Sequence, residues 1–153
     1  MAKGKKPTAQ DAQVILQLYD LRREPVMRVA RKFMVSEFWP RNYDEFKAVL
    51  LGYGTEHNAY LRQVLTYWDM ACVMVLQGAV NEELFFQTTS EPHFLYVKFG
   101  GFLAQARKDS LNIELGLNIE QFVTRPAGKR RVKELAARLE ARRAQQAAAK
   151  AAE

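Results

Sequence analysis

Between Leu61 and Ala79 the apolar side chains Leu61, Val64, Leu65, Trp68, Cys72, Val75, Leu76 and Ala79 recur at the three- and four-residue spacing of an α-helix. Tyr67, Met70 and Met74 fall on its other side. The pattern predicts a long helix covered on two faces, the central element of a bundle and not a helix lying on its surface. The segment from Gln63 to Asn81 has nearly the length of a membrane span, yet it contains Gln63, Asp69, Gln77 and Gly78. An Asp at the centre of a span costs about 2.5–3.5 kcal/mol on insertion scales, so a buried helix of a protein without a transmembrane segment is expected.

The flanking sequence is punctuated as an all-α fold. Thr8 and Asp11 form an N-terminal capping pattern ahead of Val14, Leu18 and Leu21, predicting a first helix over about residues 9 to 22. Glu24 and Pro25 open a second, whose stripe of Val26, Val29, Ala30, Phe33, Met34 and Phe38 runs to a stop at Trp39 and Pro40. Asn42 with Glu45 caps a short helix that Gly52 and Gly54 end, and Asn81 opens a short acidic-first segment, Glu82 to Gln87. Ser90, Glu91 and Pro92 begin another helix, carried by Phe94, Leu95, Val97, Lys98, Phe102, Leu103 and Ala106 to about Arg107. Within it, Gly100 and Gly101 predict close helix packing or a kink. Leu111, Leu115, Ile119 and Phe122 keep helical spacing from Ser110 to Thr124, with Gly116 and Asn118 interrupting. Strand-like alternation and long repeats are missing. The expected architecture is an irregular bundle of six or seven helices around the long central one, plus a C-terminal basic, Ala-rich helix.

Charge and aromatics divide the chain. The net charge of +6 is unevenly spread: residues 1 to 24 carry +2, residues 25 to 125 carry −1, and residues 126 to 153 carry +5. All 17 aromatic residues lie between Tyr19 and Phe122, and aromatic side chains dominate cores. Three parts follow: a basic arm over 1 to 7 with Lys3, Lys5 and Lys6, a helical domain over 8 to 125, and a basic Ala-rich helical tail over 126 to 153. In the tail, Val132, Leu135 and Leu139 make a thin apolar stripe, so docking is expected over its first turns only. No apolar run follows the Lys-rich start as in a signal peptide, and Cys72 is the single cysteine, which together place the protein in a reducing cytoplasm.

Catalytic patterns find little material. Two histidines, His57 and His93, read as partly exposed residues near helix starts, and with one cysteine they predict neither a metal site nor a cofactor. Ser36, Ser90 and Ser110 stand outside any nucleophile elbow, Cys72 sits in the apolar stripe, and Gly52-Tyr53-Gly54 lacks the remaining residues of a phosphate-binding loop. Asp69 is the most informative residue, the only charge between Arg62 and Glu82. It is a candidate buried acid: either an acid in a pocket lined by Tyr67, Trp68 and Met70, or, as the favoured reading, a salt bridge or helix-cap contact, with an arginine of the second helix as one partner.

Two basic clusters are candidate anion or nucleic-acid contacts. Arg22, Arg23, Arg28, Arg31 and Lys32 crowd the start of the second helix, with positions 28, 31 and 32 on one face. Lys129, Arg130, Arg131, Lys133, Arg138, Arg142 and Arg143 form the other. Phosphates bind such residues in a salt-dependent, sequence-independent way. Pairing within the chain to Asp20, Glu24, Asp69 or Glu82 is the commoner fate of such arginines.

The segments Tyr19-Asp20-Leu21-Arg22-Arg23, Val26 to Phe33, Val64-Leu65-Thr66-Tyr67-Trp68-Asp69 and Gly78-Ala79-Val80-Asn81-Glu82-Glu83-Leu84 resemble a bacterial family of uncharacterised helical proteins, a domain of unknown function, over about residues 10 to 110. The resemblance implies an all-α fold, a bacterial origin and no known activity, and it makes Asp69 a family feature. Taken together, the expectation is a non-enzymatic module that binds another macromolecule, a protein first, with RNA or DNA association through the basic tail and N-terminal arm as the alternative.

Overall fold

The computed structural model describes residues 5–151; Met1 to Gly4, including Lys3 of the basic arm, and the last two residues lie outside the described residues. Eight α-helices and one π-helical turn follow in the order α1 (Ala9–Arg22), α2 (Pro25–Lys32), the π-turn Phe33–Glu37, α3 (Tyr43–Leu50), α4 (Glu56–Leu76), α5 (Glu82–Thr88), α6 (Glu91–Asp109), α7 (Leu117–Val123) and α8 (Pro126–Ala151). Among the described residues there is no strand. Seven helices precede α8, in keeping with the expected bundle.

The helix α4 is the axis. Leu61, Val64, Leu65, Trp68, Ala71, Cys72 and Val75 are buried along it, and α2, α3, α5 and α7 all pack against it. Its second side is less covered than the periodicity predicts, because Tyr67 and Met74 are half-buried while Met70 is exposed. The helix also stops earlier, at Leu76: Gly78 takes a left-handed φ of +75°, which turns the chain and leaves Ala79 exposed. Side-chain caps hold the starts of the first five helices, while Ser90 makes no cap bond at α6. Thr8 and Asp11 close a reciprocal capping box on α1, Glu24 accepts from the Met27 N–H at 2.9 Å ahead of Pro25, and Asn42, Thr55 and Asn81 cap α3, α4 and α5. At the other end of α3, buried Asn58 donates through Nδ2 to the carbonyls of Val49 and Leu50 at 3.1 and 2.7 Å, satisfying acceptors that the helix leaves open.

Two local readings are corrected. The second helix does not run uniformly to Trp39, since it widens at Phe33–Glu37 into a π-turn whose freed carbonyls take donors from elsewhere: Lys98 Nζ to Met34 (2.5 Å) and Val35 (3.2 Å), and the Trp39 indole to Ser36 (2.9 Å). Gly100 and Gly101 neither break α6 nor admit a neighbouring helix. The nearest atoms to a Cβ at Gly100 would be those of the Tyr96 ring of the same helix, from 2.8 Å, and one at Gly101 would meet nothing within 4 Å. The glycine of close packing is Gly128, which is buried in the first turn of α8 where a Cβ would stand 2.3 Å from the Val123 carbonyl oxygen.

Docking of α8 also reaches further than its thin stripe predicts. Arg131, Val132, Leu135, Ala136 and Leu139 are half-buried, and the Arg143 guanidinium lies 4.9 Å from the Trp39 ring centroid, about five turns from Pro126. α8 packs on α6 and α7, so the basic extension is part of the folded body as far as Arg143.

Candidate functional site

Asp69 serves the fold of a distant segment. Its Oδ1 accepts from the backbone N–H of Asn118 at 2.9 Å and of Ile119 at 3.2 Å, and its Oδ2 from Asn118 Nδ2 at 2.7 Å. The helix α7 begins after Gly116, whose left-handed φ of +66° starts the helix but which has no side chain to cap it. Asp69 supplies from α4 the acceptor that a Ser or Asp at the cap position supplies elsewhere, and its charge suits the helix N-terminus. The expected buried acid is therefore half-buried, and the opening beside it, of about 280 Å³, is lined by Met70 but not by Tyr67 or Trp68: the Tyr67 hydroxyl donates to the Leu18 carbonyl of α1 and the Trp68 indole to Glu91 of α6. No arginine of α2 pairs with it.

The first basic cluster is drawn into aromatic and ionic contacts. Arg31 holds Glu91 in a forked contact, with Nε at 2.9 and 3.0 Å from the two oxygens and Nη2 at 2.5 Å. Trp68 Nε1 adds a third donor to Glu91 at 2.9 Å, so this largely buried carboxylate joins α2, α4 and α6. The hydrogen bonds to Glu91 raise the Arg31 pKa above its ordinary value. Lys32 pairs with Glu37 at 3.1 Å at the surface. Arg22 lies over Tyr19 and Trp68, 4.9 and 5.9 Å from their ring centroids, and Arg23 over Tyr19 at 5.7 Å. Arg22, Arg23 and Arg28 enter no ion pair among the described residues, and Arg28 and Lys32 are exposed while Arg31 turns inward, so positions 28, 31 and 32 do not form one free basic face. None of the cluster pairs with Asp20, Glu24, Asp69 or Glu82; the partners it does use are Glu37 and Glu91, the latter read in sequence only as a helix-start residue.

Beside Arg22 the surface opens into a depression of about 250 Å³ between α1, α4 and α5. Its floor is Leu18, Tyr67, Trp68 and Phe85, and Leu16 and Tyr19 stand at its rim, 63% and 47% exposed. The two largest openings have mixed linings. One, of about 670 Å³, lies between residues 5 to 11 and the turn from α4 to α5, where Asp11 accepts from the Asn81 N–H at 2.8 Å. The other, of about 740 Å³, lies between Tyr53, Arg62 and the loop carrying Leu111.

The second cluster divides by helix face. Arg131 points into the body, donating to the carbonyls of Phe86 (2.7 Å) and Thr89 (2.9 Å) with its guanidinium 3.5 Å from the Phe86 ring centroid, and Arg143 covers Trp39. Lys129, Arg130, Lys133, Arg138 and Arg142 are exposed and enter no ion pair among the described residues. Beneath α8 lie two groups that sequence reasoning assigned to no site. His93 is fully buried, against the expectation of partial exposure, with both ring nitrogens unpaired and its ring edge-on to Phe86 and Phe122; desolvation and then the charge of Arg131 push its pKa down to about 4. Lys98 lies 3.7 Å from the Trp39 ring centroid, and burial, then Arg143, bring it down to about 7. His57 is exposed and stacks on Phe33 with ring centroids 4.3 Å apart. The Cys72 thiol is fully buried, and desolvation, with the Asp69 charge, raises its pKa.

This is a helical domain built on one buried axis, some of whose charged side chains serve capping and cross-helix pairing, and whose apolar surface opens beside α1. Among the described residues no helix is long and apolar enough to cross a membrane. The chain belongs to the family described as a domain of unknown function, DUF4760, whose model matches residues 7–125, from the start of the capping segment to the residue before α8. No curated protein and no solved structure matches the chain.

Proposed function

We propose that the chain is a non-enzymatic helical module of the bacterial cytoplasm that binds another macromolecule, a protein, through the face of α1. The observation that carries this reading is the rim of the depression, where Leu16 and Tyr19 stand 63% and 47% exposed over a floor that includes Trp68. Apolar area of this kind gains about 25 cal/mol per Å² when a partner removes it from water. An aromatic side chain and an arginine beside a pocket are also the residue types that anchor protein interfaces. The test compares proteins retained by the immobilised full chain and by Leu16→Asp, with circular dichroism to check the fold. Proteins held by the first and released by the second are the expected result; identical retention removes the reading.

A second reading, association with RNA or DNA, is favoured by the outer face of α8. Lys129, Arg130 and Lys133 share that face, with Arg138, Arg142, Lys5 and Lys6 also exposed. Deleting α8 is a poor test, because it uncovers α6 and α7. Changing Lys129, Arg130 and Lys133 together to glutamine leaves the docked face intact. Binding to a generic duplex or single strand should fall and lose its steep salt dependence; binding that is unchanged ends this alternative.

A further inference from the structure

We infer that the segment seated beside α1 is an acidic amphipathic helix of a partner protein, which places one apolar side chain in the depression and a carboxylate on Arg22. This rests on the protein-binding reading and adds to it the chemistry of the partner.

Three polar groups of the lining are already engaged within the fold, and Arg22 is its one charged side chain. The Tyr67 hydroxyl donates to the Leu18 carbonyl, the Trp68 indole to Glu91, and the Thr88 hydroxyl to the Leu84 carbonyl at 2.8 Å. Arg22 differs. It is half-buried at the mouth, and it lies over the rings of Tyr19 and Trp68, with no carboxylate of the described residues within 4.0 Å. A guanidinium stacked on rings keeps its N–H groups directed outward in the plane, the arrangement that takes a carboxylate by two parallel hydrogen bonds.

Three of the fold's own carboxylates are committed elsewhere. Glu91 is held by Arg31 and Trp68, Glu24 accepts from the Met27 N–H, and Asp11 serves Thr8 and Asn81. Asp20, exposed on the same helix, enters no ion pair. Arg31 shows what the chain does where it supplies a carboxylate itself: both oxygens of Glu91 sit on the fork. Arg23, also over Tyr19 and also without an ion pair, adds positive charge to the same rim. A cavity of about 250 Å³ lies below the usual range of about 300–1,000 Å³ for small-molecule sites, and its size suits a side chain inserted from a helix lying across the rim.

Selection of a helical peptide library displayed on phage, against the immobilised full chain, tests the assignment. Enriched peptides are expected to be acidic with one large apolar residue, to quench Trp fluorescence, and to lose about tenfold in affinity on Arg22→Glu. Arg22→Lys should lose less, and Arg28→Glu, the same charge change away from both rings, should leave affinity within about twofold, since a distant exposed charge acts only through a screened field. Each variant is checked by thermal unfolding. Binders without acidic bias that survive Arg22→Glu yet are lost on Leu16→Asp overturn this inference and leave the protein-binding reading standing. A library that yields no binder sensitive to Leu16→Asp overturns both.

Discussion

The two longest helices, α4 and α8, are held by different physics. The 21 residues of α4 include Thr66, Tyr67, Trp68, Val73 and Val75, all of modest helix propensity, and the helix exists because its neighbours bury seven apolar side chains along it. The 26 residues of α8 bury one residue, Gly128. Its alanine, lysine, arginine, glutamate and glutamine favour helix locally, and two arginines fasten it to the body, Arg131 on the carbonyls of Phe86 and Thr89 and Arg143 on the Trp39 ring. Helix length is thus no guide to how much of the fold depends on a helix.

The difference is broken most directly at Trp68, 2% exposed and bonded to Glu91. Trp68→Ala should cost about 3–5 kcal/mol in denaturant unfolding, the usual range for emptying a large aromatic site. A cost under about 1 kcal/mol would mean that the axis is not α4. The next effect lies beneath α8, at His93. The unfolded chain protonates this imidazole near its ordinary value of 6.5, whereas the folded chain resists down to about 4, so in that window the unfolded state holds more protons. Stability is intact above pH 6.5 and is lost progressively as pH falls towards 4, by roughly 3 kcal/mol in all. His93→Leu should flatten this slope in unfolding curves taken at pH 7 and pH 4.5, and a slope that persists would assign it to other groups.

At the joint between α7 and α8, Gly128→Ala separates two causes by sign. Helix propensity alone favours alanine by about 1 kcal/mol. The Cβ would stand 2.3 Å from the Val123 carbonyl oxygen, backbone that cannot rotate away, so a net loss of about 1–3 kcal/mol is expected. A gain in midpoint would show that the first turn of α8 is loosely seated. Asp69→Ala removes the acceptor of three hydrogen bonds at the start of α7 and should cost about 1 kcal/mol, the usual value of a cap, with a fall of about 2–4 °C in melting temperature. An unchanged melting temperature would leave Asp69 without its capping role.

Local patterns made much of this legible. The capping box at Thr8 places α1 at Ala9–Arg22, where the sequence puts it, and the periodic stripe identifies α4 as the axis. What periodicity lacks is information about which helix a polar side chain reaches. Asp69 bonds a segment 49 residues away, Arg31 one 60 residues away, and nothing in the spacing of either residue names its partner. His93 looks like a first-turn surface residue beside Ser90 and Pro92, and it becomes buried because Phe86, Phe122 and α8 close over it. The π-turn is invisible for a related reason. Phe33 to Phe38 read as a continuing helical stripe, and the widening is stabilised by Lys98 and Trp39, which lie outside it.

The smallest expected effect is the cleanest comparison, the same substitution in the two helices. Ala71 is fully buried in α4, and Ala147 is exposed in the last turns of α8. Glycine costs about 1 kcal/mol against alanine inside any helix, through backbone freedom in the unfolded chain. In α4 that cost falls on the cooperative unit, since the helix cannot fray at Ala71 without opening the core, so Ala71→Gly should lower the denaturation midpoint. The turns around Ala147 make no contact that the domain needs, and they open without it. Ala147→Gly should therefore leave the midpoint where it is and reduce only the far-ultraviolet helical signal. Equal midpoint shifts would mean that the end of α8 folds with the body, and would move the boundary of the cooperative domain from the neighbourhood of Arg143 to the end of the helix.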